Sequence, residues 1–464
     1  MALRELSKAV AGALGAATRV AREESLRRSV KTLDERRTRL GQAGPALRSY
    51  ALHLQRWAQL LRSEADATAK ARNDAGELPL RYAGGNPIQL GEPGFQGRAD
   101  LFRTLEELLI SSNYRVAPLL LGQPRTGKTS VLLQLPLRLG AHVLPVFLNM
   151  EDHANANDAA GFLGSLAQKI RTAVLNAPDP LSLPPLDEAI LRGDPYRVFE
   201  RWIEEVEQLL GAARWLLLTL DEFHYIDSAL RRQTPGGLDE RIFALLRNLI
   251  QHHEHVSVAL CATRTLEECD PRWLETLKSV QYVPVSYLRP EEARRVLSHP
   301  HPSFPPEVYS AAALDRAVEL TGGHPFLLQL LGQTVISTYN RARQQLPPGS
   351  PPGTPLPAVA IEAAIPEVLS AGAITLASIW QWLLEISPEP SAATSLLRGL
   401  ARGEGVAGLA DQALRDELLA LYVTRELLAA TPAGYSFRVP LLGQWIAQQP
   451  IPRPAARSTV LPPS

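Results

Sequence analysis

The sequence predicts an α/β fold with a parallel sheet and crossover helices, and two observations carry this prediction. Short apolar runs alternate with helix-like stretches over residues 86–287, the pattern of strands that are buried on both faces of a sheet. Polar residues and glycine directly follow several of these runs, and ligands gather at the carboxyl ends of parallel strands. The five runs are Val116–Leu121, Val143–Leu148, Trp215–Leu220, Val256–Ala262 and Val280–Val285.

The composition narrows the class of protein. A chain of 464 residues with 45% apolar and 21% charged residues is expected to form several globular domains. The formal net charge of +0 gives the whole molecule no general attraction to nucleic acid or to anionic membranes. The two cysteines, Cys261 and Cys269, do not suggest a disulfide framework, and no stretch approaches the ~20 apolar residues of a membrane span. We therefore expect a cytoplasmic protein without a membrane span.

The first 75 residues have the periodicity of amphipathic or coiled-coil helices. One apolar set precedes the helix-breaking segment 41–45 and another follows it, so an antiparallel helical hairpin is predicted. The sets are Leu26, Val30, Leu33 and Leu40, then Leu47, Tyr50, Leu54, Trp57 and Leu61. This region has 15 Lys and Arg against 8 Asp and Glu. Two interpretations stay open: a solvated face on helices that pack against the chain itself or a second copy, or a docking surface for a protein partner or nucleic acid.

The rest of the chain divides by composition. An α/β core is expected at 86–287, with a proline-rich surface loop at 176–195. A helical subdomain follows at 288–344, and residues 345–364 form a proline-rich linker. A last small domain spans 365–449, and a disordered tail is expected at 450–464.

A phosphate-binding loop is predicted between the first strand and the helix that follows it. Residues 122–129 read GQPRTGKT and fit the pattern G-x-x-x-x-G-K-[ST]. Glycine at both ends lets the backbone curl so that its amides surround a phosphate. Lys128 supplies positive charge, and the Thr129 hydroxyl is suited to Mg²⁺. The predicted binding residues for ATP are Gly122, Gln123, Pro124, Arg125, Thr126, Gly127, Lys128, Thr129 and Ser130.

The third apolar run ends in Asp221 and Glu222. Unpaired carboxylates at the end of a buried strand are costly unless a cation or a reaction requires them. Asp221 is predicted to hold Mg²⁺ with Thr129, and Glu222 to orient or deprotonate the attacking water. Glu222 and Lys128 are thus the predicted catalytic residues. The fourth run is followed by Thr263 and Arg264, which come within reach of the γ-phosphate if this strand lies beside the phosphate-loop strand.

Several motifs together resemble a known family. Asn86-Pro87 with Phe95-Gln96-Gly97-Arg98 ahead of the phosphate loop, Leu260–Arg264, and Leu320–Leu328 (LTGGHPFLL) are similar to motifs of STAND proteins, the AAA+-related signal-transduction ATPases with numerous domains. Tyr435–Leu442 is similar to the close of that family's winged-helix domain. The resemblance covers roughly residues 86–449.

The resemblance implies a P-loop NTPase core with a helical subdomain and a C-terminal winged-helix domain. It implies that Phe95, Gly97 and Arg98 line the adenine side, that Pro325 closes over the nucleotide, and that Arg264 senses the γ-phosphate. The implied activity is a slow ATPase that acts as a molecular switch. The alternative is a DNA-associated AAA+ ATPase similar to origin-recognition or transposition ATPases. Five basic against eight acidic residues over 366–447 disfavour DNA binding by the last domain.

Overall fold

The computed structural model describes residues 2–16, 18–42, 48–111, 116–140, 142–152, 158–211, 214–232, 237–347, 350–351, 353–406 and 409–449. The described chain forms two compact units. The first comprises the described parts of Met1–Tyr82, Leu297–Leu314 and Leu330–Val368. The second comprises those of Ala83–Val296, Asp315–Gln329 and Leu369–Ser464. The helical subdomain expected at 288–344 is thus divided between the units. The predicted tail 450–464 lies outside the described residues.

The first unit contains three N-terminal helices, α1 (Ala2–Leu14), α2 (Arg19–Gln42) and α3 (Arg48–Asp74). Two apolar clusters lie between them, made of Val30, Leu33, Leu54 and Ala58, and of Ala13, Leu26 and Ala65. The predicted α3 face is wrong at two positions, because Tyr50 and Trp57 are exposed. The small Ala58 and Ala65 take part in the buried seam instead, which lets the helix backbones approach closely. Leu47 and the breaking segment 43–45 lie outside the described residues.

Charged and amide side chains complete the packing of this unit. Glu23 is buried and accepts hydrogen bonds from Arg72 (2.8 Å), Arg27 (2.9 Å) and Arg81 (3.0 Å). The Asn340 side chain accepts from the Leu78 amide at 2.7 Å and donates to its carbonyl at 2.8 Å. Helices α2 and α3 pack against each other, and the N-terminal helices belong to a larger compact unit.

The second unit contains a five-stranded sheet in which all paired strands run parallel, in the order β2-β3-β4-β1-β5. The strands are β1 (Ala117–Leu121), β2 (Val143–Asn149), β3 (Trp215–Asp221), β4 (Val256–Ala262) and β5 (Val280–Pro284). Alternate strand residues enter two different apolar clusters, one containing Leu119 and Leu218 and the other Leu120 and Leu217. Both faces are thus covered, which confirms the parallel α/β fold expected from continuous apolar runs. The prediction of a buried strand is wrong for β5, because Gln281, Tyr282 and Pro284 of this edge strand are exposed.

Helices surround this sheet in the second unit. They are α4 (Ala99–Glu106), α5 (Lys128–Gln134), α6 (Pro136–Leu139), α7 (Ala159–Leu175), α8 (Glu188–Gly193), α9 (Pro195–Leu210), α10 (His224–Arg232), α11 (Arg241–Gln251) and α12 (Arg272–Thr276). Helix α8 lies within the predicted loop 176–195, so that prediction is wrong there. The Asp187 side chain starts this helix by accepting hydrogen bonds from the amides of Ala189 and Ile190.

The C-terminal half is mostly helical, with a β-hairpin near its end. Its helices are α13 (Pro290–Ser298), α14 (Ala311–Thr321), α15 (Pro325–Gln344), α16 (Ala358–Ala371), α17 (Ala373–Glu385), α18 (Pro390–Ala401), α19 (Gln412–Thr424) and α20 (Pro440–Gln448). Strands β6 (Leu428–Thr431) and β7 (Gly434–Phe437) pair antiparallel. The linker predicted for 345–364 ends earlier than expected, because Leu356 is buried and bridges Tyr309 in parallel register.

Across the described ranges no single helix has the length and apolar composition needed to cross a membrane; the bent pair α16 and α17 meets that test only when both helices are taken together.

Candidate functional site

The predicted phosphate-binding loop runs from the end of β1 to the start of α5. Gly127 begins α5 with φ of +91°, and Arg125 also has a positive φ of 63°. A Cβ atom on Gly122 would lie 2.4 Å from the Val285 carbonyl oxygen. Glycine is therefore required at 122 by the close approach of a neighbouring backbone and at 127 by the left-handed turn.

The side chains of the loop stabilise its curled shape. The Thr126 hydroxyl donates to the Gln123 carbonyl at 2.9 Å. Lys128 is buried, and its Nζ donates to the carbonyls of Gly122 (3.1 Å) and Gln123 (2.9 Å). The Ser130 hydroxyl accepts from the Ile88 amide at 3.1 Å. The ammonium group thus lies inside the loop, where a phosphate oxygen could replace the carbonyls as its acceptor.

Thr129 and Asp221 meet although 92 positions separate them in sequence. The Thr129 hydroxyl donates to Asp221 Oδ2 at 2.7 Å. Asp221 is the last residue of β3 and is buried. A hydroxyl and a carboxylate are the hard oxygen ligands that Mg²⁺ takes, so the donor set fits this ion.

Glu222 has backbone and side-chain features that are unusual for its position. Its φ of +52° is uncommon for a residue with a Cβ, and such strain is found at functional sites. Glu222 Oε2 and His224 Nδ1 lie 3.4 Å apart, and both are buried atoms without a hydrogen-bond partner in the described chain. Burial raises the pKa of the Glu222 carboxyl, with Asp221 and Glu151 adding to the effect and Lys128 opposing it. Burial, Arg264 and Lys128 lower the pKa of His224 to about 4.

A cavity of about 540 Å³ joins these groups. This volume lies in the range of small-molecule sites. Most of the residues that the sequence predicts for the site line it, namely Phe95, Arg98, Pro124, Arg125, Thr126, Gly127, Lys128, Thr129, Ser130, Asp221, Glu222, Thr263 and Pro325. The cavity walls do not include Gly122, Gln123, Gly97 or Arg264.

The position of Arg98 differs from the expected adenine contact. Its guanidinium donates to the carbonyls of Thr126 (2.7 Å) and Ser286 (2.9 Å), so Arg98 stabilises the phosphate loop as well as lining the cavity. The Arg98 amide donates to Glu292 at 2.8 Å. A Cβ on Gly97 would lie 2.4 Å from the Glu292 side chain, which explains glycine there without a ligand contact. Of the three residues predicted for the adenine side, Phe95 has the apolar ring suited to a base.

The strand beside the phosphate loop is β4, as the γ-phosphate prediction required. Leu119 of β1 is in register with Leu260, so Thr263 follows the strand end next to the loop. Arg264 instead donates to Glu385 at 3.1 Å. Gln123 also bonds away from the cavity, since its amide donates to the Arg425 carbonyl at 2.6 Å.

Sequence reasoning missed several residues that line the cavity. Asn149 is the last residue of β2 and Glu151 lies two residues beyond it, and His224 and Tyr225 begin α10. The position at the end of a parallel strand could have indicated the first two. Helix α17 contributes Ser378, Gln381, Trp382 and Glu385, which no local pattern indicates. Trp382 is buried and also lines this cavity.

The histidine-rich segment 252–255 follows the end of α11 and lies outside this cavity. In this segment His253 is buried, and its Nδ1 lies 2.8 Å from Glu207 Oε2.

Comparison with solved structures shows which fold this is. The chain is similar to the Walker-type ATPase PABY2304 of Pyrococcus abyssi, with 17% identity and a TM-score of 0.53 over 78% of this chain and 98% of that one. It also matches the ORC2 protein of Aeropyrum pernix in its ADPNP and ADP complexes (13% identity, TM-score 0.48, 78% and 96% coverage). A third match is the ORC1 protein of Aeropyrum pernix in complex with DNA (16% identity, TM-score 0.40, 76% and 92% coverage). No protein-family model and no curated protein matches the chain. The fold is that of a P-loop NTPase.

Proposed function

We propose that this chain binds ATP with Mg²⁺ and hydrolyses it to ADP and phosphate. One observation carries the proposal: residues 124–130 of the phosphate loop, the Thr129–Asp221 pair at 2.7 Å and the Glu222 carboxylate meet at one cavity. The fold likeness to a Walker-type ATPase supports it. The direct test is release of phosphate from ATP by the purified protein with and without Mg²⁺. Absence of Mg²⁺-dependent release would contradict hydrolysis.

Each end of the cavity has a separate role in binding. Gly127 and the start of α5 present backbone amides, and a helix N-terminus favours anions. Lys128 exchanges its two loop carbonyls for oxygens of the β- and γ-phosphates. Phe95 and Pro325 provide apolar walls suited to a base.

The remaining residues act on the reaction. Thr129 and Asp221 would hold Mg²⁺, which neutralises charge on the phosphates when it is bound. Glu222 accepts a proton from water as the water oxygen bonds to the γ-phosphorus. The bond from that phosphorus to the bridging oxygen breaks, leaving ADP and phosphate. The raised pKa of Glu222 makes its carboxylate a better proton acceptor than an exposed one.

For the role of ATP binding and hydrolysis in this protein, we propose first a molecular switch. Helix α17 contributes four residues to the cavity wall, so a nucleotide there would touch the C-terminal segment as well as the phosphate loop. A ligand shifts a conformational equilibrium only when it binds the two states unequally. We expect hydrodynamic radius and protease sensitivity to differ between ATP, ADP and no nucleotide. Identical profiles in all three would contradict the switch.

The alternative proposal is that the protein is a DNA-associated ATPase. Helices α18 and α19 followed by the β6–β7 hairpin have the order of a winged helix, a fold in which a helix pair can read DNA. The acidic balance of residues 366–447 opposes this use, whereas the basic N-terminal helices would favour it. Fluorescence anisotropy with duplex DNA at ~50 mM salt separates the two, because phosphate contacts are strongest at low ionic strength. Absence of binding to duplex DNA at this low salt concentration would contradict the DNA-associated alternative.

A further inference from the structure

The γ-phosphate end of the cavity is bordered by a helix that comes late in the sequence. Helix α17 places Gln381, Trp382 and Glu385 in the wall that also contains Glu222 and Thr263. Trp382 is 6% exposed, and its Nε1 has no hydrogen-bond partner among the described residues. Trp382 is thus buried at this wall, whereas the half-exposed Glu385 carboxylate is paired with a nearby cation.

Arg264 is that cation. Its Nη2 lies 3.1 Å from Glu385 Oε2, and Glu385 Oε1 accepts from Gln381 at 3.3 Å. Arg264 comes one residue after Thr263, which lines the cavity beside the phosphate loop. The positive charges of Arg264 and Lys128 both contribute to the lowered pKa of His224, so the two cations act on the same part of the site.

We propose that Glu385 competes with the terminal phosphate of ATP for Arg264 and so sets the preference of the site for ATP over ADP. This inference rests on the proposed nucleotide site. A guanidinium binds carboxylate and phosphate oxygens with the same planar geometry, so one can replace the other. A γ-phosphate offers more negative charge than a single carboxylate, whereas ADP has no group that reaches this position.

For the γ-phosphate to replace Glu385 at Arg264, the ion pair between Arg264 and Glu385 must be broken. The two side chains are 32% and 45% exposed, which makes the pair a weak one. Such pairs are worth roughly 0.2–1 kcal/mol, so breaking this one lowers ATP affinity by about 1.4- to 5-fold.

The test measures dissociation constants for Mg²⁺ with ADP and with a non-hydrolysable ATP analogue. We expect Glu385→Gln to tighten binding of the ATP analogue by about 1.4- to 5-fold and to leave ADP unchanged. Arg264→Gln should weaken the ATP analogue and leave ADP unchanged. In the Arg264→Gln background, Glu385→Gln should not change the affinity for the ATP analogue, because the guanidinium for which the carboxylate and the phosphate compete is absent.

The double variant separates competition from simple repulsion. If Glu385 only repelled the γ-phosphate, its replacement would tighten the ATP analogue with or without Arg264. That result would overturn the proposal, and so would an unchanged ATP-to-ADP ratio in Glu385→Gln. Glu268→Gln is the matched control, since Glu268 pairs with Arg425 in the same unit and does not line the cavity. A similar shift in that variant would indicate general loosening and would also contradict the proposal.

The same measurements separate this inference from the proposed function. If the unmodified chain binds neither nucleotide, the ATP site itself is wrong. If the unmodified chain binds both nucleotides and Glu385→Gln does not change the ratio of their dissociation constants, the ATP site is supported and competition by Glu385 is contradicted. Circular dichroism of each variant checks that it is folded.

Discussion

At the scale of single residues, Glu222 combines three features that a solvated acid would not have. Its backbone lies in the left-handed region, its Oε2 is buried without a partner, and burial raises the pKa of its carboxyl. The strand end fixes its place, because the Phe223 amide donates to the Cys261 carbonyl of the next strand at 2.7 Å. A carboxylate held in this way is suited to take a proton from water.

Replacing this carboxylate should stop hydrolysis and spare binding. We expect Glu222→Gln to lower the rate of phosphate release by about 10²- to 10⁴-fold, the contribution typical of a general base. The dissociation constant for ATP should change little, because Lys128 and the loop amides remain. Phosphate release and ATP titration measure the two effects. Glu205→Gln, on the exposed side of α9, is the control and should behave as the unmodified chain. Full activity in Glu222→Gln would assign the base elsewhere.

The residues at strand ends could be predicted from the sequence, because the end of an apolar run indicates where a buried strand ends. Asp221 is predicted in this way and Lys128 and Thr129 from the spacing of the phosphate-loop pattern, and the structure brings the three together. Trp382 and Glu385 could not be found, since the periodicity of a buried helix does not say which neighbour each face meets. The Arg98 contact with the Thr126 carbonyl was missed for a related reason: a buried arginine and a ligand-binding one look alike in sequence.

Among the secondary-structure elements, the phosphate loop depends on the contact between Gly122 and Val285, the residue that follows β5. The Val285 carbonyl oxygen leaves no room for a Cβ on Gly122, with a separation of 2.4 Å. The Val285 amide in turn donates to the Leu121 carbonyl at 2.7 Å, so this backbone cannot easily move away.

Gly122→Ala should therefore distort the loop. We expect a loss of about 1–3 kcal/mol in the free energy of unfolding, as for other overpacked sites, together with weakened ATP binding. Denaturant unfolding and ATP titration measure both. Gly193→Ala at the end of α8 adds the same atom where nothing lies within 4 Å, and should be nearly neutral. Equal effects in the two variants would contradict the packing argument.

The turn between α14 and α15 contains a histidine that should make stability depend on pH. His324 is 2% exposed, with its ring centroid 5.5 Å from that of Tyr287, and burial lowers its pKa to about 4. An unfolded chain binds a proton at this histidine near pH 6.5, whereas the folded chain does so only near pH 4. Acidification within this window thus favours the unfolded state.

Between pH 7 and pH 5 this histidine alone should lower the free energy of unfolding by up to about 2 kcal/mol. We expect His324→Leu to lose less stability over that interval than the unmodified chain, as measured by urea unfolding at both pH values. The exposed His53→Gln on α3 is the control, and its pH dependence should match the unmodified chain. The same pH dependence in His324→Leu would show that other groups are responsible.

At the scale of the whole molecule, sheet order brings distant motifs to one site. Strands β3 and β4 lie between β2 and β1, so the ends of β1, β3 and β4 meet at one edge. The five strands were predicted to within about one residue, because each apolar run is bounded on both sides by polar residues or glycine. The division into units was not predicted, since segments 297–314 and 330–368 join the N-terminal helices through contacts far apart in sequence.

The central claim is that Lys128 and the loop around it bind a nucleoside triphosphate. Calorimetric titration of the purified chain with ATP and Mg²⁺ tests it most directly, alongside Lys128→Ala and the exposed control Lys169→Ala. We predict saturable binding that Lys169→Ala preserves and Lys128→Ala weakens by at least about tenfold, as expected when a charge-assisted hydrogen bond is lost. An unmodified chain that takes up no ATP, or a Lys128→Ala variant that binds it equally well, would contradict the claim.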